Sequence, residues 1–135
     1  MIVVDTNVIS YALIEGPLTS LAREVRTADS QWRVPELWKH EYLNVLVTYC
    51  RSTGLDARIA VRLWDQAERL LSGSTTPVNS HLAIRLAIDK KLSGYDAQFV
   101  ALATELRVPL VTGDRQLAAK CPGVAVSMKS FLGRT

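Results

Sequence analysis

The sequence predicts an α/β protein in which helices cover both faces of a central, mostly parallel β-sheet of four to five strands, making three layers. Short runs of β-branched and apolar residues ("MIVV", "PLVT", "VAVS") alternate with longer segments whose apolar residues recur at helical spacing. Such alternation needs crossover connections, which make the strands parallel and place helices on both faces. The chain has 135 residues, 48% of them hydrophobic and 21% charged. That fits one domain, 1–135, with a core of its own, and no repeat, linker or low-complexity tract divides it.

The elements follow in order. "MIVV" reads as a buried strand that ends at the polar pair Asp5 and Asn7, with Asp5 in an Asx-turn or loop. Gly16-Pro17 opens a helix carrying Leu18, Leu21, Ala22 and Val25. "WRV" before Pro35 is a second strand. From Glu36 to about Arg51 a helix presents an apolar stripe of Trp38, Tyr42, Val45, Leu46 and Tyr49, with Glu41 on its margin. Asp56 caps a further helix reaching Leu71, and Gly73 stops it. "TTPV" is read as a third strand, held near an edge by Pro77. "SHLAIRLAIDKKL" is helical. The next helix starts at Ser93, with Asp96 three residues on as in a capping box and Phe99, Val100, Ala103 and Leu106 on its buried face. "PLVT" is a buried strand, Gly113-Asp114 turns off its end, "RQLAAK" is a short helix and "VAVS" the last strand.

Several function classes lack their residues. Cys50 and Cys121 are the only cysteines and stand in no CxxC or Cys/His cluster, as expected of a protein in a reducing cytoplasm. The apolar start is broken at Asp5 with no basic lead, unlike a signal peptide, and no apolar run is long enough for a membrane span. No glycine-rich nucleotide loop is present. An aspartyl-nucleophile phosphotransferase would need an acid where Asn7 stands, "DTN" lacks the glycine and distal glutamate of a calcium loop, and His40 and His81 are too scattered for a triad. Arg58, Arg62 and Arg69 share a helix face, but Asp65 and Glu68 interrupt it, as on a solvated surface.

Four acids remain. In open parallel sheets the ligand crevice lies beyond the carboxyl ends of the strands, where the reading places Asp5 and Asp114. Asp96 begins a helix and Glu41 borders an apolar arc. Taken singly, each has a structural explanation as turn, cap or solvated residue; together they form a candidate metal site. An all-oxygen set suits Mg²⁺ or Mn²⁺ rather than a structural zinc, and a cation would offset the carboxylates' mutual repulsion. The field of a helix N-terminus is expected to lower the pKa of Asp96. With these four of the 13 acidic residues in one pocket, 16 basic residues face nine acids elsewhere, although a net charge of +3 and a pI of about 9.1 are only mildly basic.

The segments "IVVDTNVIS", "PELWKHEYLNVL", "SGYDAQFVALA" and "PLVTGDRQL" resemble, in order, spacing and context, the four blocks of the PIN-domain nucleases. The similarity runs over essentially the whole chain, and its size is similar to that of the toxin branch, the VapC-type ribonucleases of toxin–antitoxin pairs. All four acidic positions of the pattern are filled. The resemblance implies a PIN-like fold and metal-dependent hydrolysis of RNA phosphodiester bonds. Asp5, Glu41, Asp96 and Asp114 would hold one or two Mg²⁺ or Mn²⁺ ions, Glu41 partly through water. Asn7 and Thr112 are candidates to orient a carboxylate or a substrate phosphate, beside an equal reading as turn residues. A small VapB-like antitoxin and a homodimer are the implied partners. Other readings are a PIN nuclease of RNA processing or acting on DNA, and a non-catalytic RNA- or protein-binding module, against which the intact acids count.

Overall fold

A computed structural model describes residues 1–135. Strands β1 (Ile2–Val4), β2 (Trp32–Arg33), β3 (Leu110–Thr112) and β4 (Ala125–Ser127) form one sheet in the order β2-β1-β3-β4, with every neighbouring pair parallel. The helices are α1 (Thr6–Leu13), α2 (Thr19–Ala28), α3 (Trp38–Thr53), α4 (Ala57–Leu70), α5 (Ser80–Lys90), α6 (Gly94–Leu106), α7 (Arg115–Lys120) and α8 (Met128–Phe131).

Strand periodicity sorts the side chains between two cores. Ile2, Val4 and Val111 join Val8 and Ile9 of α1, Ala22 and Val25 of α2, Trp38 and Tyr42 of α3 and Met128 of α8. Val3, Leu110 and Ala125 point the other way, to Phe99, Val100 and Leu102 of α6, Leu117 of α7 and Cys121. Successive strand residues face opposite sides, so two helical layers are needed to cover a sheet apolar on both faces. Each fully buried Leu, Ile, Val or Phe contributes about 1.5–3 kcal/mol by leaving water.

Trp38 and Tyr42 of α3 are core residues. Trp38 stacks on Trp64 of α4 with centroids 5.8 Å apart, and Tyr42 lies 6.2 Å from Trp38 and 6.3 Å from Trp64. Trp32 is buried under the Arg26 guanidinium, 5.3 Å from its ring. Tyr49, expected in the buried stripe, is exposed.

Two local expectations are corrected. Asp5 to Asn7 is not a loop: α1 starts at Thr6, and Asp5 is its N-cap, accepting from Val8 N–H at 3.0 Å. "TTPV" is not a strand. It makes one bridge, Val34 with Thr75, through Val34 N–H to the Ser74 carbonyl and Thr76 N–H to the Val34 carbonyl. The pairing stops at this single bridge, so the sheet keeps four strands. The chain also turns from β4 directly into α8, which Ser127 caps.

After β2 the chain crosses to the far side of β1 before forming β3 and β4, so the strand order reverses between β1 and β3. At such a switch point the crossovers leave the sheet in opposite directions, and a crevice opens at the strands' carboxyl ends.

Candidate active site

Asp5 follows β1 and Asp114 follows β3, so the switch point brings these two acids together. Glu41 reaches the same place from the first turn of α3 and Asp96 from the first turn of α6. With Thr6, Asn7 and Phe99 the four line one small pocket of about 60 Å³. A larger cavity, of about 310 Å³ between α3 and α4, is entirely apolar and holds no ionisable carboxylate or imidazole.

Asp5 is the most constrained acid. It is buried, with 7% of its surface exposed. Oδ1 accepts from Val8 N–H, Oδ2 accepts from the Thr112 hydroxyl, and Gly113 N–H approaches Oδ2 at 3.2 Å. Burial pushes its pKa up to about 6, although the hydrogen bonds from Thr112, Val8 and Gly113 pull it down; the charge of Asp96 adds to the rise. The Thr112 hydroxyl also accepts from Asp114 N–H at 2.9 Å, so its single proton is committed to Asp5. Thr112 therefore stands behind Asp5 and ties the two strand-end acids into one unit.

Asp114 caps α7 through Oδ1, which accepts from Gln116 N–H at 2.8 Å and Leu117 N–H at 3.3 Å, while Oδ2 takes no hydrogen bond from the protein. Glu41 is half-buried and accepts from the Thr6 hydroxyl at 2.7 Å; burial raises its pKa and the charge of Asp96 raises it further. Asp96 N–H donates to the Ser93 hydroxyl at 3.0 Å, as the capping pattern predicts. Its pKa moves against the expectation. Burial, followed by the charge of Asp114, raises it, outweighing Lys120 and Ser93. The field of a helix end is a local, partly screened effect, whereas desolvation and a neighbouring carboxylate act together in the folded pocket.

Asn7 is exposed at the pocket wall. Thr6 and Gly113 were missed by the sequence reading, although each is the immediate neighbour of an acid in "DTN" and "TGD". A Cβ on Gly113 would lie 2.8 Å from Tyr11 Cε2 and 2.9 Å from Asn7 Cβ, so close approach rather than backbone conformation requires glycine. Gly113→Ala is expected to destabilise the protein by about 1–3 kcal/mol through overpacking. Urea unfolding checks this, and an unchanged midpoint would mean that Tyr11 and Asn7 move aside freely.

As the side chains stand, no three His, Cys, Asp or Glu residues are gathered tightly enough to hold one ion among them. The donors available to a cation are nevertheless all oxygens, contributed by four separate elements. Three of the four acids have raised pKa values. That is the chemistry of a site for a hard divalent cation rather than a thiolate–imidazole centre.

Fold and site together define an α/β protein with a carboxylate pocket at the switch point of a parallel sheet. The PIN domain family profile matches residues 2–121. The chain is 34% identical over 129 residues to a VapC ribonuclease of Mycobacterium bovis and, equally, to ribonuclease VapC9 of Mycobacterium tuberculosis, alignments that cover 90% of this chain and 95% of each relative. The crystal structure of PAE2754 from Pyrobaculum aerophilum matches with a TM-score of 0.72, covering 98% of this chain and 93% of that one at 24% identity, a likeness of fold alone. The chain belongs to the PIN-domain family and, within it, to the VapC branch.

Proposed function

We propose that this protein is a metal-dependent endoribonuclease, the toxin of a VapBC-type pair, that hydrolyses RNA phosphodiester bonds at Asp5, Glu41, Asp96 and Asp114. The observation that carries this reading is the meeting of the four acids in one pocket, in a chain of VapC type.

The cofactor is Mg²⁺ or Mn²⁺, one or two ions. When bound, it supplies an activated water at neutral pH and neutralises charge on the phosphate. Mg²⁺ keeps several of its waters and uses few direct carboxylates, which suits acids that share a pocket without closing on one point. Asp5, Asp96 and Asp114 are the direct ligands. Asp5 is oriented by its three donors, and Asp114 retains one oxygen outside its cap. Glu41, held by Thr6, acts through water. Thr112 positions Asp5 and Asp114, and the exposed Asn7 amide donates to a phosphate oxygen at the mouth. Phe99 closes one wall against water. No Ser, Cys or His lines the pocket and the Thr6 hydroxyl is given to Glu41, so the chain attacks with no side chain of its own.

The reading includes an antitoxin, a homodimer and a cytoplasmic location. No helix is long and apolar enough to cross a membrane. Support for a protein partner comes from the apolar groove between α3 and α4, whose rim residues Leu43 and Val61 are 52% and 60% exposed. Light scattering at tens of micromolar protein should report a dimer.

Cleavage of labelled RNA and DNA of the same sequence, with Mg²⁺ and with EDTA, tests the reading. RNA should be cut with metal only. Preferential cutting of DNA would make the protein a DNA nuclease, and cutting of neither would favour a binding module. In cells, expression alone should arrest growth, and co-expression of a small protein encoded beside it should restore growth. Unchanged growth and RNA with soluble, folded protein would move a housekeeping RNA-processing role ahead.

A further inference from the structure

We propose that a single RNA strand leaves the carboxylate pocket across the first turn of α6, with a base flanking the cut stacked on Tyr95 and the following phosphates held by Lys91 and Lys120. This path deepens the ribonuclease reading and rests on it. Tyr95 is the immediate neighbour of Asp96, yet 63% of it is exposed, while the other aromatic residue of α6, Phe99, is buried. An uncovered ring beside a phosphodiester site offers a stacking face for an unpaired base.

The cations stand at the turn that leads into α6 and at the end of α7. Lys120, at the end of α7, donates from Nζ to the Lys91 carbonyl at 2.9 Å, which pins its ammonium over the turn between α5 and α6. Lys91 ends α5 in the left-handed region at φ 56°, and Ser93, two residues on, caps the helix that carries Asp96. Lys90, Lys91 and Lys120 are all exposed.

The protein's side-chain salt bridges use Arg23, Lys39, Arg58 and Arg134, and none uses these three lysines. Asp89 is the acid nearest to them in sequence. A pocket of four acids repels a polyanion, so a strand that reaches it needs cations beside the acids, and this turn supplies them next to a stacking surface. An acidic protein segment would account for the lysines but would leave the exposed ring unexplained.

The test compares wild type with Tyr95→Ala, Tyr95→Trp and the pair Lys91→Gly/Lys120→Gln. The readouts are steady-state RNA cleavage in Mg²⁺ and fluorescence anisotropy of a short labelled single-stranded RNA in EDTA, where nothing is cut. Tyr95→Ala should raise KM and the dissociation constant about tenfold with little change in kcat, and Tyr95→Trp should restore both. The lysine pair should reduce the slope of log affinity against log salt by about 0.7 per lysine lost. A purely structural role would move the thermal midpoint and leave that slope alone.

If wild type binds this RNA through Tyr95 and the lysines without cutting it, the path stands and the ribonuclease reading falls. If wild type cuts RNA and the variants keep its KM and salt slope, the path is overturned. Variants that lose only affinity for the antitoxin would also overturn it and mark the turn as a protein contact.

Discussion

Asp5→Asn and Asp96→Asn should each lower RNA cleavage on the order of 10²–10³-fold, the usual loss when one preorganised electrostatic group is removed from a reaction centre. Asp5→Asn keeps one acceptor oxygen where Asp5 offers two, so one of the donors from Val8, Thr112 and Gly113 loses its partner. The same substitution removes a buried charge that the site holds at a cost, so the two effects on stability oppose each other and the chain stays folded. Asp96→Asn keeps the backbone N–H bond to Ser93 and hence the start of α6. Glu41→Gln keeps its Thr6 bond and should lose less than either, in line with a contact made through water. Labelled-RNA cleavage read beside circular dichroism checks the series. Wild-type rates in both aspartate variants, or undiminished cleavage in excess EDTA, would remove the four acids from the reaction.

The second large effect is on stability. Metal-stripped protein should become more stable as pH falls from 7 to 5. The folded pKa of Asp5 is about 6 against an ordinary 3.8, so in that interval the folded state takes up a proton that the unfolded chain leaves in solution. The contribution is fully present below about 3.8 and is lost as pH rises through 6. It amounts to about 3 kcal/mol in all and about 1 kcal/mol between pH 7 and 5, or roughly 3–5 °C in thermal midpoint. Glu41 and Asp96, also raised, act in the same direction. Glu24 and Asp56 oppose it, because Arg134 and Arg58 hold them below their ordinary values and that contribution is lost as acid protonates them. Stability should therefore peak in mild acid. Millimolar Mg²⁺ or Mn²⁺ should raise the midpoint at pH 7 and flatten the profile, while Asp5→Asn should flatten it without metal. A metal-free midpoint that rises with pH, or one indifferent to metal, would show that Asp5 is not a buried, electrostatically loaded carboxylate.

Much of the fold was legible because its signals are local. The β-branched runs, the helical spacing of Trp38, Tyr42 and Leu46, and the caps Asp56, Ser93 and Asp114 are properties of a few consecutive residues, and each lies where its pattern places it. The errors have separate causes. "TTPV" has strand composition, but a strand exists only through a partner, and this segment finds one at a single bridge to Val34. The start of α1 was hidden because Asp5 is both the end of β1 and the cap of the helix, with no spacer between them.

From sequence alone came the parallel α/β architecture and the four acids, because local periodicity sets element type and strand direction sets which end of an element faces a crevice. Only the tertiary structure brings Glu41 within reach of Thr6, 35 residues away, and ties Thr112 to Asp5 across 107. The structure alone makes Gly113 the one residue small enough to lie against Tyr11 and Asn7. It also reverses the expected pKa shift of Asp96, since desolvation and the charge of Asp114 depend on distance in space, which spacing along the chain does not encode.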